Sequence, residues 1–288
     1  MSQLSNKQIE SVQKGRTKRQ RMIELISNIT QFDQVEKYSN LYIYSPPGLG
    51  KSYTVKEYLE GTNLNHISVS GNTSLFALGI QLAVTNYMSQ DRPPIIVHVD
   101  DCDEIFKNEQ NCNTMKKVLD FDKVFVYEKS LSSQWNNLSE LQRDAINHFS
   151  SEGQMGFVVP TDNMRFIFTS NFQLPIDDEV AEARKKGKSK AILMSHRNAI
   201  RSRCKVGDFS LTIEEHWGWI SDVVINTNIF SEMNLSDEDK VTILDYLYYN
   251  WSSLTERSIR LVEKMAHIMS QYPDNYKNVW DIDYLRVN

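Results

Sequence analysis

The sequence predicts an α/β fold, a doubly wound parallel sheet, followed by a smaller all-helical domain. From residue 41 to about residue 170, short apolar runs alternate with segments of helical periodicity, as in parallel strands covered by helices on both faces. After Phe209 the strand pattern stops and amphipathic helical segments follow. The 288 residues are 40% hydrophobic and 24% charged, which is enough apolar material for a core of this size.

Each element follows from a local pattern. Residues 1–38 are polar and basic and predict a helix with a cationic start. The predicted strands span residues 41–44, 66–70, 95–99, 124–127 and 165–169. Three C-terminal helices are predicted to begin at the N-caps Thr212, Ser236 and Thr255. We therefore predict an α/β domain over residues 1–208 and a helical domain over residues 209–288, with an insertion at 121–164 whose role the sequence does not assign.

Composition excludes several classes of protein. The longest apolar runs are far shorter than the roughly 20 residues of a membrane helix, and the N-terminus lacks a signal-peptide core. Cys102, Cys112 and Cys204 show no metal-ligand spacing, so we expect reduced thiols in a cytoplasm and no zinc or disulfide framework. The net charge of -5 argues against a surface that binds nucleic acid everywhere, but it leaves room for local basic patches.

A phosphate-binding loop is predicted at residues 45–52, between the first strand and a helix. It matches the pattern GxxxxGK[ST], except that Ser45 replaces the first glycine. Glycines let backbone N–H groups wrap a polyphosphate, Lys51 would bridge the β- and γ-phosphates, and the Ser52 hydroxyl would bind Mg²⁺. A turn with an incidental lysine would not combine strand, loop, Lys-Ser and helix. The predicted nucleotide-binding residues are Pro47, Gly48, Leu49, Gly50, Lys51, Ser52 and Tyr53.

An acidic pair follows the strand at residues 95–99 and predicts the other half of the site. Asp100 stands where a carboxylate would complete the Mg²⁺ site, from behind the directly bound ligands or through a bridging water. Asp101 stands where a carboxylate would activate the attacking water. A solvated turn after a strand is the alternative, which the upstream phosphate loop makes unfavourable. His98, inside the strand, is expected to be a packed core residue rather than a ligand.

With these motifs the chain resembles an AAA+ ATPase, from about residue 38 to residue 288. Residues 44–52 are similar to the family's Walker A motif and residues 99–103 to its Walker B motif, although the family usually has glutamate where Asp101 stands. The strand that ends at Ser170 is similar to the sensor-1 strand, which implies that Asn171 positions the water. The resemblance implies a P-loop NTPase fold with a helical lid, and ATP and Mg²⁺ as cofactors.

Three arginines acquire roles from the same resemblance. Residues 202–204, Ser-Arg-Cys, are similar to the arginine-finger segment of clamp-loader subunits, which makes Arg203 the first candidate finger and Arg201 the second. A surface arginine pair is the alternative. Arg257, in the first turn of the helix that Thr255 is predicted to cap, matches sensor 2 of the lid, with Arg260, one turn later, as its competitor.

The resemblance also implies partners. An arginine finger acts on a neighbouring subunit, so the expected assembly is a homo-oligomeric ring or arc, with six subunits as the family's usual number. Residues 184–205 contain no acidic residue, and Lys185, Lys186, Lys188 and Lys190 are candidate DNA contacts, with a solvated loop as the alternative. The compact core is similar to phage AAA+ proteins, which suggests a nucleic-acid motor or loader in DNA replication, in a host cytoplasm. A protein-remodelling ATPase and a clamp-loader-like subunit remain alternatives, and no membrane partner is expected.

Overall fold

The computed structural model describes residues 4–32, 39–70, 73–89, 91–131, 134–151, 156–187, 190–227 and 235–286. The strands within these ranges are β1 Leu41–Tyr44, β2 Asn65–Val69, β3 Ile95–Val99, β4 Val124–Tyr127, β5 Phe157–Pro160, β6 Met164–Ser170 and β7 Lys205–Asp208. The helices up to the last strand are α1 Asn6–Thr30, α2 Lys51–Glu60, α3 Leu75–Met88, α4 Glu109–Leu119, α5 Glu140–His148, α6 Asp177–Lys185 and α7 Ala191–Arg201. The C-terminal helices are α8 Ile213–Asn226, α9 Asp237–Asn250, α10 Ile259–Gln271 and α11 Tyr276–Tyr284.

The main sheet has five parallel strands in the order β2-β3-β6-β1-β7. Its strands are mostly apolar because both faces are covered, and β3 is buried along its whole length. Since parallel strands end at one edge, β1 ends beside β6, where Tyr44 pairs with Ser170. β3 lies on the other side of β6, where Val99 pairs with Phe168. The segments that follow β1, β3 and β6 therefore start at one edge of the sheet, which is the usual place for ligands in such folds.

The predicted α/β fold with C-terminal helices is confirmed, with two corrections among the strands. The segment 124–127 forms a strand outside the main sheet, because β4 pairs antiparallel with β5 in a separate two-stranded sheet. The insertion that contains this sheet joins the core. Phe125 stacks on Phe157, and a Cβ at Gly79 of α3 would lie 2.3 Å from the Phe125 ring. The second correction is that the sequence analysis did not predict β5 or β7.

The chain contacts divide into two compact units, one of residues 24–44 and 52–208 and the other of residues 1–23, 45–51 and 209–288. The second unit therefore groups the start of α1 with the C-terminal helices, whereas the sequence analysis assigned residues 1–208 to one domain. That boundary stays a prediction. Within this unit the basic residues of α1 meet carboxylates of α8: Arg16 and Arg19 bind the buried Asp222, and Lys14 binds Glu214.

The caps of the C-terminal helices test the helix predictions. Thr212 and Ser236 cap α8 and α9 as predicted, each accepting a hydrogen bond from the amide three residues on. The predicted cap Thr255 is wrong, because Ser258 accepts from the Leu261 amide and α10 begins at Ile259. Among the described residues, no helix combines the length and the apolar character that crossing a membrane requires.

Candidate active site

The loop after β1 has the backbone that a phosphate-binding loop needs. Gly48 and Gly50 have φ angles of 82° and 73°, in the left-handed region that glycine adopts most readily. A Cβ at Gly48 would also lie 2.3 Å from the Ser258 Cβ. Ser45, which replaces the first glycine of the motif, is fully buried, and its hydroxyl donates to the Pro46 carbonyl. The serine is therefore accommodated in this loop.

Two carbonyl groups of this loop accept hydrogen bonds from C-terminal helices of the same compact unit. Ile259 N donates to the Gly48 carbonyl at 2.9 Å, and the Trp219 indole donates to the Leu49 carbonyl at 2.9 Å. The amides of Gly48, Leu49 and Gly50 donate no hydrogen bond within the described part of the chain. Free amide donors beside anchored carbonyls are the arrangement that binds phosphate oxygens.

Lys51 places a cation inside the same loop. The residue is 5% exposed, and its Nζ donates to the carbonyls of Ser45 at 3.1 Å and Pro46 at 3.4 Å. A buried ammonium group favours an anionic partner, because burial removes the water that would otherwise stabilise its charge. The position of Lys51 thus fits the role predicted for it, contact with a polyphosphate.

In the other compact unit, Asp100 receives several hydrogen bonds on one carboxylate oxygen. Its Oδ1 accepts from the Ser52 hydroxyl, from the Thr169 hydroxyl at 2.6 Å and from the Asp101 amide at 3.1 Å. The geometry follows from the sheet, because Asp100 follows β3 and Thr169 lies near the end of the neighbouring β6. Thr169 is a member of this cluster that the sequence analysis did not identify.

These hydrogen bonds keep Asp100 ionised. Burial raises the pKa of this carboxyl, but the hydrogen bonds from Ser52 and Thr169, together with the nearby His98 and Lys56, outweigh burial and leave the pKa below its usual range. No donor among the described residues reaches Asp100 Oδ2. An ionised carboxylate with a free oxygen, next to a hydroxyl group, is the hard oxygen ligand set that Mg²⁺ prefers. Ser52 and Asp100 therefore fit the metal role predicted for them.

Asp101 and Asn171 also meet at this edge of the sheet. The Asn171 amide donates to Asp101 Oδ1 at 3.3 Å, and Asp101 is exposed, with a φ angle of 46°. Left-handed backbone in a residue other than glycine is uncommon and often marks a functional position. The structure brings together the two side chains predicted to handle the attacking water.

The two candidate finger arginines have different surroundings within one chain. Arg203 donates from Nε and one terminal nitrogen to Asp120 Oδ2, at 3.1 and 2.6 Å, and from the other to the Ala199 carbonyl at 2.8 Å. Hydrogen bonding by Arg203 lowers the pKa of Asp120. Arg201 donates to the Leu174 carbonyl at 3.1 Å. The role of either residue in a neighbouring subunit stays a prediction.

Arg257 precedes α10 rather than lying in its first turn. It donates to the carbonyls of Trp251 at 2.7 Å and Ser252 at 3.0 Å, the two residues that follow α9. A pocket of about 310 Å³ lies beside it, a volume at the small end of ligand sites. The lining residues are Pro46, Pro47, Gly48, His216, Thr255, Glu256, Arg257, Ser258 and Arg260. The sequence analysis did not identify His216 as part of this pocket, and its placement of Arg257 as sensor 2 stays a prediction.

The candidate DNA contacts lie around the turn between α6 and α7. Lys185, Lys186 and Lys190 are exposed, and Lys186 pairs with Glu182 of its own helix. Lys188 lies outside the described residues. Lys185 and Lys190 form no ion pair with any residue in the described ranges.

The parallel sheet with its glycine loop and Lys-Ser after β1, and its carboxylate after β3, defines a P-loop type of nucleotide-binding protein. A sequence model of the ATPase family associated with various cellular activities (AAA) matches residues 41–180. The match supports an AAA+ ATPase domain in this part of the chain, and members of this family generally hydrolyse ATP. The finer resemblance to clamp-loader subunits stays a prediction. A comparison with curated proteins found no match.

Proposed function

We propose that this protein is a Mg²⁺-dependent ATPase that acts as an oligomer on nucleic acid or a nucleoprotein complex. The observation that carries the ATPase part is the hydrogen-bonded cluster of Ser52 in α2, Asp100 after β3 and Thr169 near the end of β6. It provides an ionised carboxylate with a free oxygen next to the P-loop serine, in a chain whose Lys51 is buried in the loop.

The residues divide the work as follows. The loop amides and Lys51 would bind the phosphates, and Ser52 and Asp100 would hold Mg²⁺. Bound Mg²⁺ would offset negative charge on the β- and γ-phosphates. Asp101 would orient the attacking water and accept its proton, while the Asn171 amide holds the Asp101 carboxylate in place. The pocket beside Arg257 is the proposed place for the nucleoside.

The proposed oligomer follows from the resemblance of residues 202–204 to an arginine-finger segment, which would supply its cation to a neighbouring subunit. The guanidinium of Arg203 already bonds to Asp120 and Ala199 of its own chain. We propose that Arg203 meets the γ-phosphate of an adjoining subunit, where a positive charge stabilises the transferring phosphoryl group. Arg201 is the second candidate for this role.

The nucleic-acid part is supported by the exposed lysines of the turn after α6. Lys185 and Lys190 have no described ion-pair partner, so their charges are available to a phosphate backbone. The acidic residues in the first turn of α6 reduce the positive electrostatic potential near this turn. Because the lysines are exposed, we expect DNA binding to weaken as the salt concentration rises.

The ATPase is tested by Lys51→Ala. Removing the ammonium should reduce turnover to background and weaken ATP binding, because the phosphates lose their main point charge. The measurement is steady-state phosphate release with and without Mg²⁺. Lys240→Ala is the control, since this lysine of α9 forms, within the described ranges, a single ion pair, with the exposed Asp237. Undiminished turnover in Lys51→Ala would remove the proposed activity.

The substrate is tested by comparing ATPase stimulation by single-stranded DNA, double-stranded DNA and candidate proteins. We expect DNA to stimulate turnover, and we expect the effect to disappear when Lys185, Lys186 and Lys190 are all changed to Ala. A triple variant of the exposed lysines Lys107, Lys129 and Lys277 is the matched control for charge. Stimulation by a protein alone, with no DNA binding at low salt, would favour the protein-remodelling alternative.

A further inference from the structure

A histidine, His98, lies inside the buried strand β3 and contacts Thr169, which in turn donates to the proposed metal ligand Asp100. His98 is 0% exposed, and the other four residues of β3 are isoleucine and valine. Side chains two apart on a strand share a face, so His98 and Asp100 share one face. Because His98 is paired in register with Ile167, Thr169 lies on that same face of β6.

A hydrogen-bonded chain links the three side chains. His98 Nε2 lies 3.2 Å from the Thr169 hydroxyl, which lies 2.6 Å from Asp100 Oδ1. An ionised carboxylate can only accept, so the Thr169 hydroxyl donates to Asp100 and its oxygen accepts from His98. The ring hydrogen of His98 is therefore on Nε2. This assignment follows from the donor and acceptor roles in the two hydrogen bonds.

The second ring nitrogen, Nδ1, makes histidine an unfavourable residue for position 98. His98 Nδ1 is buried and has no hydrogen-bond partner among the described residues. An unpaired buried polar atom destabilises a fold. An apolar residue would fill this strand position without that cost. A requirement other than packing therefore explains the histidine better than packing does.

We propose that His98 is a positioning residue for the Mg²⁺ site: its Nε2–H fixes the Thr169 hydroxyl as a donor to Asp100 Oδ1 and thereby leaves Oδ2 for the metal. This inference rests on the proposed ATPase function and assigns a role that the motifs do not. Partners behind a metal ligand orient it, and their loss typically lowers metal affinity by about 10–100-fold.

The test compares His98→Leu, which removes the donor, with His98→Gln, whose amide can supply an N–H at similar reach. The readout is equilibrium binding of a fluorescent ATP analogue, first in EDTA and then during a Mg²⁺ titration. His98→Leu should leave binding in EDTA unchanged but raise the Mg²⁺ concentration for half-maximal enhancement about tenfold or more. His98→Gln should restore most of the Mg²⁺ response.

Two further measurements guard against a variant that does not fold. Thr169→Val removes the hydroxyl at nearly constant volume and should produce the same shift in the Mg²⁺ requirement. In the unaltered protein, nitrogen NMR of labelled histidine should show His98 with its hydrogen on Nε2. A hydrogen on Nδ1, or a Gln variant as defective as the Leu variant, would overturn the proposal.

The outcomes distinguish a failure of the proposed ATPase function from a failure of the positioning role of His98. If the unaltered protein binds no nucleotide, the proposed ATPase function fails, and the role of His98 fails with it. If the unaltered protein binds nucleotide with the help of Mg²⁺, and the Leu and Val variants need no more Mg²⁺ than it does, only the positioning role fails. In that case the ATPase remains and His98 is a core residue.

Discussion

At the scale of single residues, the backbone at Asp101 gives a reason for the departure from the family's usual glutamate. Its φ angle of 46° lies in the left-handed region, where Asp and Asn are several-fold enriched among residues other than glycine. The Asp101 amide also donates to Asp100 Oδ1, which ties this backbone to the metal cluster. A short carboxylate at 101 is therefore consistent with the conformation of the turn as well as with water activation.

The proposed role of Asp101 predicts the effect of Asp101→Asn. Asparagine tolerates the same backbone and has almost the same shape, so ATP binding should persist. The turnover number should fall by about 10²–10⁴-fold, the usual contribution of a general base. Glu104→Gln is the control, because Glu104 belongs to the same acidic run but pairs with the surface residue Lys107. Single-turnover measurements would contradict the role if Asp101→Asn cleaved ATP as fast as the control.

The motif residues of the candidate site could be predicted from the sequence, because each belongs to a short local pattern. Lys51, Ser52 and Asp100 lie within or directly after such patterns, and the structure gives them surroundings that suit the predicted roles. Thr169 and His98 could not be predicted, because both lie inside strands and look like core residues. Their hydrogen bond depends on the register between β3 and β6, which no local pattern encodes.

At the scale of elements, α1 and α8 approach each other closely through two glycines. A Cβ at Gly218 would lie 1.8 Å from the Ser11 carbonyl oxygen, and one at Gly15 would lie 2.0 Å from the Trp219 amide nitrogen. Backbone contacts this short leave no room for a methyl group. At the same helix crossing Arg16 forms an ion pair with Asp222, whose side chain is 2% exposed.

Gly218→Ala is therefore expected to destabilise the unit that contains α1 and α8. Overpacking typically costs about 1–3 kcal/mol, and here the obstacle is backbone, which cannot turn aside as a side chain can. Gly61→Ala is the matched control, since its Cβ would come no closer than 3.4 Å to another atom and should change stability by less than about 0.5 kcal/mol. Urea unfolding curves measure both. Equal stability of the two variants would contradict the close helix crossing.

The elements that the sequence analysis missed or misplaced have physical explanations. β7 is only four residues long, and it includes the charged residues Lys205 and Asp208, so it lacks an apolar run. β4 has such a run, but its partner β5 lies beyond a helix, and the pairing is decided by tertiary contacts. Both Thr255 and Ser258 lie shortly before an apolar run, so the sequence pattern allows either as the N-cap. In the structure the Ser258 side chain accepts from the Leu261 amide, which identifies Ser258 as the cap. The local pattern predicted the strand at 124–127, whereas β5, β7 and the pairing of β4 with β5 required the structure.

At the scale of the whole molecule, the proposed active site needs a second copy of the chain. Arg203 is held by Asp120 and Ala199 of its own chain, with 27% of its side chain exposed. A guanidinium fixed in this way is already oriented, so little conformational entropy is lost when an anion approaches. Because the ion pair is partly exposed, it contributes little to stability and can be exchanged for a neighbour's phosphate.

The composite site makes a specific prediction about mixtures of two inactive variants. Arg203→Ala should lower turnover by about 10³-fold or more, because the transferring phosphoryl group loses its external cation. Lys51→Ala subunits keep Arg203, and Arg203→Ala subunits keep the phosphate loop, so an interface that joins one of each in the right order is complete. Random mixing in equal amounts completes about a quarter of the interfaces of a cyclic assembly. Phosphate release by the mixture should therefore exceed that of either variant alone, and the same mixture with Arg201→Ala identifies which arginine acts. If the mixture is no more active than its components, each subunit hydrolyses ATP without its neighbour and the composite site is wrong.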